Sequence, residues 1–152
     1  MDVLARETEV VLRDGSALRL RPVRPEDEDA LVRFYQGLSP DSLFNRFFAA
    51  ITEYALFRWV QTIARTPPER GLSVVATFGV PPRIVGHALY QRVDHDRAET
   101  AFAVADHFQG KGVGTLMLGW LADVASRHGI RQFEAVVLPE HRRMLDVCRE
   151  AG

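Results

Sequence analysis

The sequence predicts an α/β fold with a mixed central β-sheet and flanking helices. Three observations predict it. Short apolar runs bounded by Gly, Pro, Asn or Asp recur along the chain, with helical spacing between some of them. Residues 99–115, ETAFAVADHFQGKGVGT, begin as a strand and end in a glycine-rich loop that opens a helix. A further strand-like run follows that helix, so the chain carries a β-α-β unit.

The elements follow in order. Residues 8–13 (TEVVLR) and 16–24 (SALRLRPVR) read as strands, and Asp14-Gly15 between them signals a two-residue type I′ hairpin turn. Leu18, Leu20 and Pro22 alternate with Arg19 and Arg21, which gives one buried face and one wet face. Pro25 followed by Glu26, Asp27, Glu28 and Asp29 reads as a helix start, because proline suits the first turn and acids complement the helix dipole. Leu31, Phe34, Tyr35 and Leu38 form its apolar stripe, and Ser39-Pro40 ends it. Helices are expected over 40–48 and 53–64, the latter with Leu56, Trp59, Val60 and Ile63 at helical spacing. Phe44, Phe47, Phe48, Tyr54, Phe57 and Trp59 concentrate aromatic residues here. They read first as core and second as walls of an acceptor pocket.

Strands are expected at 72–79, 83–93 and 98–106, with Gly86 marking a bulge. Val113, Leu116, Met117, Trp120, Leu121 and Val124 make one face of the long helix, which His128-Gly129 caps. Residues 131–138 form another strand, and Pro139 starts a last helix with Met144, Leu145, Cys148 and Ala151 inward.

Composition narrows the function classes. The 152 residues suit one domain, read as spanning 1–152. A net charge of −1 gives no bulk attraction to nucleic acid or a membrane surface. A single cysteine excludes an internal disulfide and fits a reducing compartment. The N-terminus has no apolar signal region, and no stretch nears the roughly 18 apolar residues of a membrane span. A cytoplasmic protein is expected. His87, His95, His107 and His128 lack metal-ligand spacing, so no metal is expected. Lys111 is the only lysine. That reads as a coding bias toward arginine, or as an enzyme avoiding modification of itself.

Gln109 to Thr115 carries the chemistry. A helix start offers unpaired N–H groups and a positive dipole end, which suit a phosphate. The P-loop pattern fails, because Ala105 and Gly112 stand where Gly and Ser or Thr are needed; the dinucleotide fingerprint fails at Thr115. Q-x-x-G-x-G fits, as Gln109, Gly112 and Gly114. With the order of elements, this loop resembles the acyl-CoA pyrophosphate loop of the GNAT N-acetyltransferases. LRDGSALRLRPVRPED, LSPDSLFNRFF and AETAFAVADHFQGKGVGT are similar to the bacterial protein-lysine acetyltransferase (Pat-like) branch, over nearly the whole chain. The family order continues with one more strand after the last helix. The chain stops at Glu150-Ala151-Gly152, so the expectation is either a truncated domain without its final strand or a sheet completed differently.

The resemblance implies acetyl-CoA as cosubstrate and an amine as acceptor, with the ε-amine of a protein lysine first and acyl-CoA synthetases among the substrates. It places the pyrophosphate on Gln109, Gly110, Lys111, Gly112, Val113, Gly114 and Thr115. It places the N–H that polarises the thioester carbonyl within Phe102, Ala103 and Val104. Such a donor is worth roughly 3 kcal/mol of barrier. The acceptor amine must lose a proton, since a free lysine has a pKa near 10.4. Glu99 matches the catalytic Glu of the branch. An ordinary carboxylate is a weak base, so burial or a water relay must help it. Read without the resemblance, Glu99 is a solvent-facing edge-strand residue. Many family members carry an Asn and a Tyr in the final helix; His141 and Cys148 stand there, so no general acid is named, and His141 is a candidate contact for the pantetheine arm. Two alternatives remain: a small-molecule amine acceptor, favoured by a narrow acid-lined pocket beside Glu99, and a non-catalytic acyl-CoA-binding module.

Overall fold

The computed structural model describes residues 7–47 and 51–135. Its elements are β1 (Thr8–Val11), β2 (Ala17–Pro22), α1 (Glu28–Gln36), α2 (Pro40–Phe47), α3 (Glu53–Ala64), β3 (Gly71–Phe78), β4 (Arg83–Arg92), β5 (Arg97–Val104), α4 (Val113–Arg127) and β6 (Gln132–Glu134). The six strands form one sheet in chain order. Every neighbouring pair is antiparallel except β5 and β6, which run parallel across the α4 crossover. The mixed sheet and the expected order of elements are both present. The last helix, His141, Cys148 and the end of the sheet lie outside the described residues.

Two apolar layers hold the sheet. On one face α4 lays Val113, Met117, Leu118 and Leu121 against Leu20, Val74, Ala88 and Tyr90. On the other face α1 and α3 set Leu31, Tyr35, Leu56 and Val60 against Val75 and Ala103. Successive strand residues point to opposite faces. So Ala98, Phe102 and Val104 of β5 pack toward α4, whereas Ala103 faces the α1–α3 layer.

Two local expectations change. The β1–β2 hairpin is not a two-residue type I′ turn. Leu12 N–H donates to Ser16 C=O at 2.8 Å, which leaves a three-residue loop with Gly15 at φ 90°. The Asp14 carboxylate accepts the Ser16 N–H at 2.9 Å and draws the loop into this shape. The acids after Pro25 do more than meet a helix dipole. Pro25–Asp27 is a 3₁₀ turn, and Asp27 accepts two 2.8 Å bonds from Arg21 and one of 2.7 Å from Arg24 N–H. Burial alone would raise the Asp27 carboxyl, but these donors hold it below the usual range. Arg21 is thereby drawn into a face that alternation alone predicts to be wet.

The bulge expected at Gly86 is there. Ala76 pairs with Gly86 and Thr77 with Ile84, so Val85 is the extra residue. A Cβ on Gly86 would sit 3.0 Å from Met117 Cε and 3.2 Å from Val113 Cγ1. The glycine lets the first turns of α4 lie close on the sheet, and that fixes where the preceding loop stands.

Candidate active site

The loop is built from backbone conformation. Gly110 (φ 76°) and Gly112 (φ 88°) both take left-handed torsions that disfavour a side chain. Gly112 caps α4 and its C=O accepts the Leu116 N–H at 3.0 Å. The N–H groups of Gly110 to Gly114 meet no acceptor among the described residues, so they remain available at the positive end of the helix.

Gln109 stands apart from these. Its N–H donates to Asp106 C=O at 3.3 Å, and its side-chain Nε2 donates to Val104 C=O and to Ser42 Oγ, both at 3.0 Å. Ser39 N–H donates to the Asp106 carboxylate at 3.4 Å. Gln109 thus ties the loop to β5 and to α2. Lys111 Nζ donates to Asp14 Oδ2 at 2.7 Å, which binds the loop to the β1–β2 turn and holds the Asp14 carboxyl well below its ordinary range.

Strand β5 leads into the loop. Among the described residues its pairing with β6 runs from Arg97↔Gln132 to Glu99↔Glu134. Ala105 N–H donates to Val85 C=O at 2.8 Å. Backbone groups alternate sides along a strand, so Ala103 and Ala101 also turn their N–H groups toward β4. Phe102 and Val104 turn theirs to the side away from β4. Of the three residues expected to polarise a carbonyl, the register directs Ala103 N–H into the sheet and the other two away from β4. The Val104 C=O that receives Gln109 lies on this same side.

Glu99 stands opposite Glu134 of β6. Its side chain is exposed and makes no hydrogen bond or ion pair among the described residues. The neighbouring carboxylate, Glu134, is held by Arg97 at 2.8 Å. Burial, one of the two ways expected to make Glu99 an effective base, is absent; a water relay remains. Glu99 shares the α1–α3 face of the sheet with Ala101 and Ala103. Gln91 stands directly opposite it on β4. Gln91 also lines an open groove of about 670 Å³ with Arg58, Arg65, Arg70 and Arg92.

Between the two ends lies a cluster that sequence reading missed. His87 is fully buried opposite Ala103, and a 2.6 Å hydrogen bond joins its Nδ1 to Tyr35 Oη. Tyr35, Phe47 and Trp59 meet edge-on or tilted at 5.1–5.6 Å, and the Arg46 guanidinium lies 4.7 Å from both the Phe47 and Trp59 rings. Burial and then the Arg46 charge push His87 down to about 3, so it is a neutral imidazole at physiological pH. Burial pushes Tyr35 up to about 12. His87 Nε2 and Arg46 Nε are buried without a partner among the described residues. Only the apolar run around His87 hinted at its burial; the Tyr35 contact spans 52 positions and leaves no local signal. The aromatic residues divide accordingly: Phe47 and Trp59 belong to this cluster, whereas Phe44, Tyr54 and Phe57 are exposed.

Among the described residues, one group could bring metal-ligand atoms together: Asp94, His95 and Asp96 in the β4–β5 turn, within 4.8 Å of one another. Both Asp94 oxygens already accept hydrogen bonds, from the N–H groups of Asp96 and Arg97 and from the Arg97 guanidinium. No helix among the described residues is long and apolar enough to cross a membrane.

Among the described residues, a mixed sheet carries a glycine-capped helix across its parallel β5–β6 pair, an α/β scaffold. The acetyltransferase (GNAT) domain matches residues 17–152, and the chain belongs to that family. It is an acetyltransferase with acetyl-CoA as its cosubstrate. An acetyltransferase of Pseudomonas aeruginosa is 32% identical over 144 residues, covering 93% of this chain and 77% of that protein. The acetyltransferase Pat of Mycolicibacterium smegmatis is 28% identical and covers 94% of this chain, which spans only 43% of that protein. The GNAT domain of S. lividans PAT superposes with a TM-score of 0.86 at 34% identity, covering 96% of this chain and 86% of that one. The Pat-like resemblance read from the sequence therefore holds.

Proposed function

We propose that this protein transfers the acetyl group of acetyl-CoA to the ε-amine of a protein lysine, by direct attack in a ternary complex. The CoA pyrophosphate lies on the N–H groups of Gly110 to Gly114, with Lys111 and Thr115 beside them. The thioester carbonyl lies along β5, on the side away from β4, and accepts from Phe102 or Val104 N–H. That donor strengthens its bond as the carbonyl oxygen gains charge, which lowers the barrier.

Glu99 receives the ammonium proton of the acceptor through a water molecule. The amine nitrogen then attacks the carbonyl carbon, and the C–S bond of the tetrahedral intermediate breaks. CoA leaves as a thiolate and takes up the second proton, shed by the attacking nitrogen as the amide forms; a simple thiol has a pKa of about 8.5, so no dedicated acid is required.

The observation that carries the protein acceptor is the shape beside Glu99. The groove there is open and, among the described residues, lined by arginine, glutamine and threonine, with Pro67 and no acid. A small cationic amine would be held by a narrow acid-lined pocket, whereas an open groove admits a chain segment. The kinship with Pat proteins points the same way. The test is CoA release with lysine-bearing proteins, acyl-CoA synthetases first, against a panel of small amines. Turnover with the proteins alone is expected; turnover confined to small amines would overturn the reading.

A further inference from the structure

We propose that the arginine groove beside Glu99 docks acidic residues flanking the acceptor lysine, so that the enzyme selects lysines in acidic segments. This rests on the protein-lysine reading above.

The groove is lined by Arg58, Arg65, Arg70 and Arg92, with no carboxylate among its described lining residues, on a chain whose net charge is −1. The larger cavity of the molecule, about 910 Å³ between β2, β3 and α1, makes an informative contrast. It too is lined by arginines, but Glu7, Glu9 and Asp27 stand among them. Arg21 is bonded there to Asp27, and Arg19 lies 3.8 Å from Glu7. Its charge is balanced from within.

The groove beside Glu99 is not balanced. Arg92 donates to the carbonyls of Glu69, His95 and His128, which holds its guanidinium without neutralising it. Arg65 pairs with Glu28 at 2.9 Å. Arg58 and Arg70 are exposed and make no ion pair among the described residues. Arg58, Gln61, Thr62 and Arg65 follow one another at helical spacing on a single face of α3. The Glu28 pairing offsets only part of the groove's charge, and anions arriving from outside would offset the rest.

Position decides which anion. Gln91 forms the inner end of the groove and stands opposite Glu99, and opposed residues of antiparallel strands share a face about 5 Å apart. From Arg58 to Arg65 the helix advances ~10 Å, the length of about three extended residues. A segment whose lysine reaches Glu99 therefore lays its next three or four residues along α3. Guanidinium groups take carboxylates through paired hydrogen bonds, so Asp or Glu at those positions fits. The same cations repel an ammonium and lower the pKa of a lysine brought among them, which favours the neutral amine needed for attack. A lysine without acidic neighbours meets only the repulsion.

The test uses peptides with one central lysine and Asp or Glu within four positions on either side, paired with Asn or Gln isosteres. CoA release gives KM and kcat, and fluorescence anisotropy in the presence of CoA gives binding without turnover. For the intact protein at low salt, KM and the dissociation constant are expected to be about tenfold lower for the acidic peptide. The preference fades as salt rises. In R58A/R70A the acidic-to-neutral ratio falls to about one, and in R58E/R70E it inverts toward peptides flanked by lysine-free basic residues. Equal use and equal binding of the two peptides would overturn the inference. So would a charge-reversed variant that keeps the acidic preference. Acidic binding without acetylation of any lysine would instead sink the protein-lysine reading and leave the docking site standing.

Discussion

The two ends of β5 are built by different means. At its C-terminal end the loop is a backbone object: left-handed glycines at 110 and 112, a helix start, and N–H groups that await an acceptor. At its N-terminal end, around Glu99, everything rests on side chains: one unpaired carboxylate, and arginines delivered by α3, β4 and the turn before β3. The loop end can hold its ligand with almost any side chains at the non-glycine positions. The Glu99 end has no such tolerance, because each charge there comes from one residue. Binding and chemistry thus occupy one strand but fail under different substitutions.

Glu99→Gln probes that separation most sharply. Turnover is expected to fall by about 10²-fold or more, while calorimetry finds acetyl-CoA binding unaltered. A variant that turns over normally would remove Glu99 from the chemistry. The buried His87–Tyr35 pair between the two ends comes next. His87 titrates near 3 folded and near 6.5 unfolded, so the unfolded chain takes up the proton first as pH falls. Its contribution to stability is complete above pH 6.5 and is lost toward pH 3, at roughly 1.4 kcal/mol per unit. Denaturant titrations at pH 7 and pH 5 should differ by about 2 kcal/mol from this group, and His87→Leu should flatten the slope. A slope that survives in the variant would place the sensitivity elsewhere.

Gly112→Ala acts on the loop alone. Forcing a side chain into a left-handed torsion costs about 1–2 kcal/mol, expected as a lower melting temperature and a roughly tenfold weaker acetyl-CoA complex. Unchanged binding would show that the loop does not carry the pyrophosphate. Lys111→Ala is expected to be the mildest. Its partner Asp14 is about as exposed as Lys111 itself, and such surface pairs contribute ~1 kcal/mol or less. Loss of all acetyl-CoA binding in this variant would turn the loop from a backbone site into a side-chain one.

The same contrast explains what the sequence disclosed. Hydrophobic periodicity and turn residues specify the order of elements and most of their bounds, since both are local in the chain. The loop was legible for the same reason: its glycines alternate within five residues and their torsions follow from residue type. The hairpin misled because Asp14 can serve either turn, and the bond from Ser16 decides which. Arg21 misled because its partner Asp27 lies on the next element. The Tyr35–His87 bond and the arginine groove join residues from separate elements, and no spacing rule foretells such meetings. Glu99 was singled out by the family resemblance alone; the strand pattern read without it makes Glu99 solvent-facing, and it stands exposed.

Lys111 is bonded to Asp14 inside the loop, and the sequence holds no second lysine. An amine-reactive label can therefore mark only one side chain, which stands at the cosubstrate loop. Labelling must first break the pair with Asp14. Among its side chains the enzyme thus carries one amine reporter, placed at this loop, and self-acetylation of lysine would add at most one site to a count of its products.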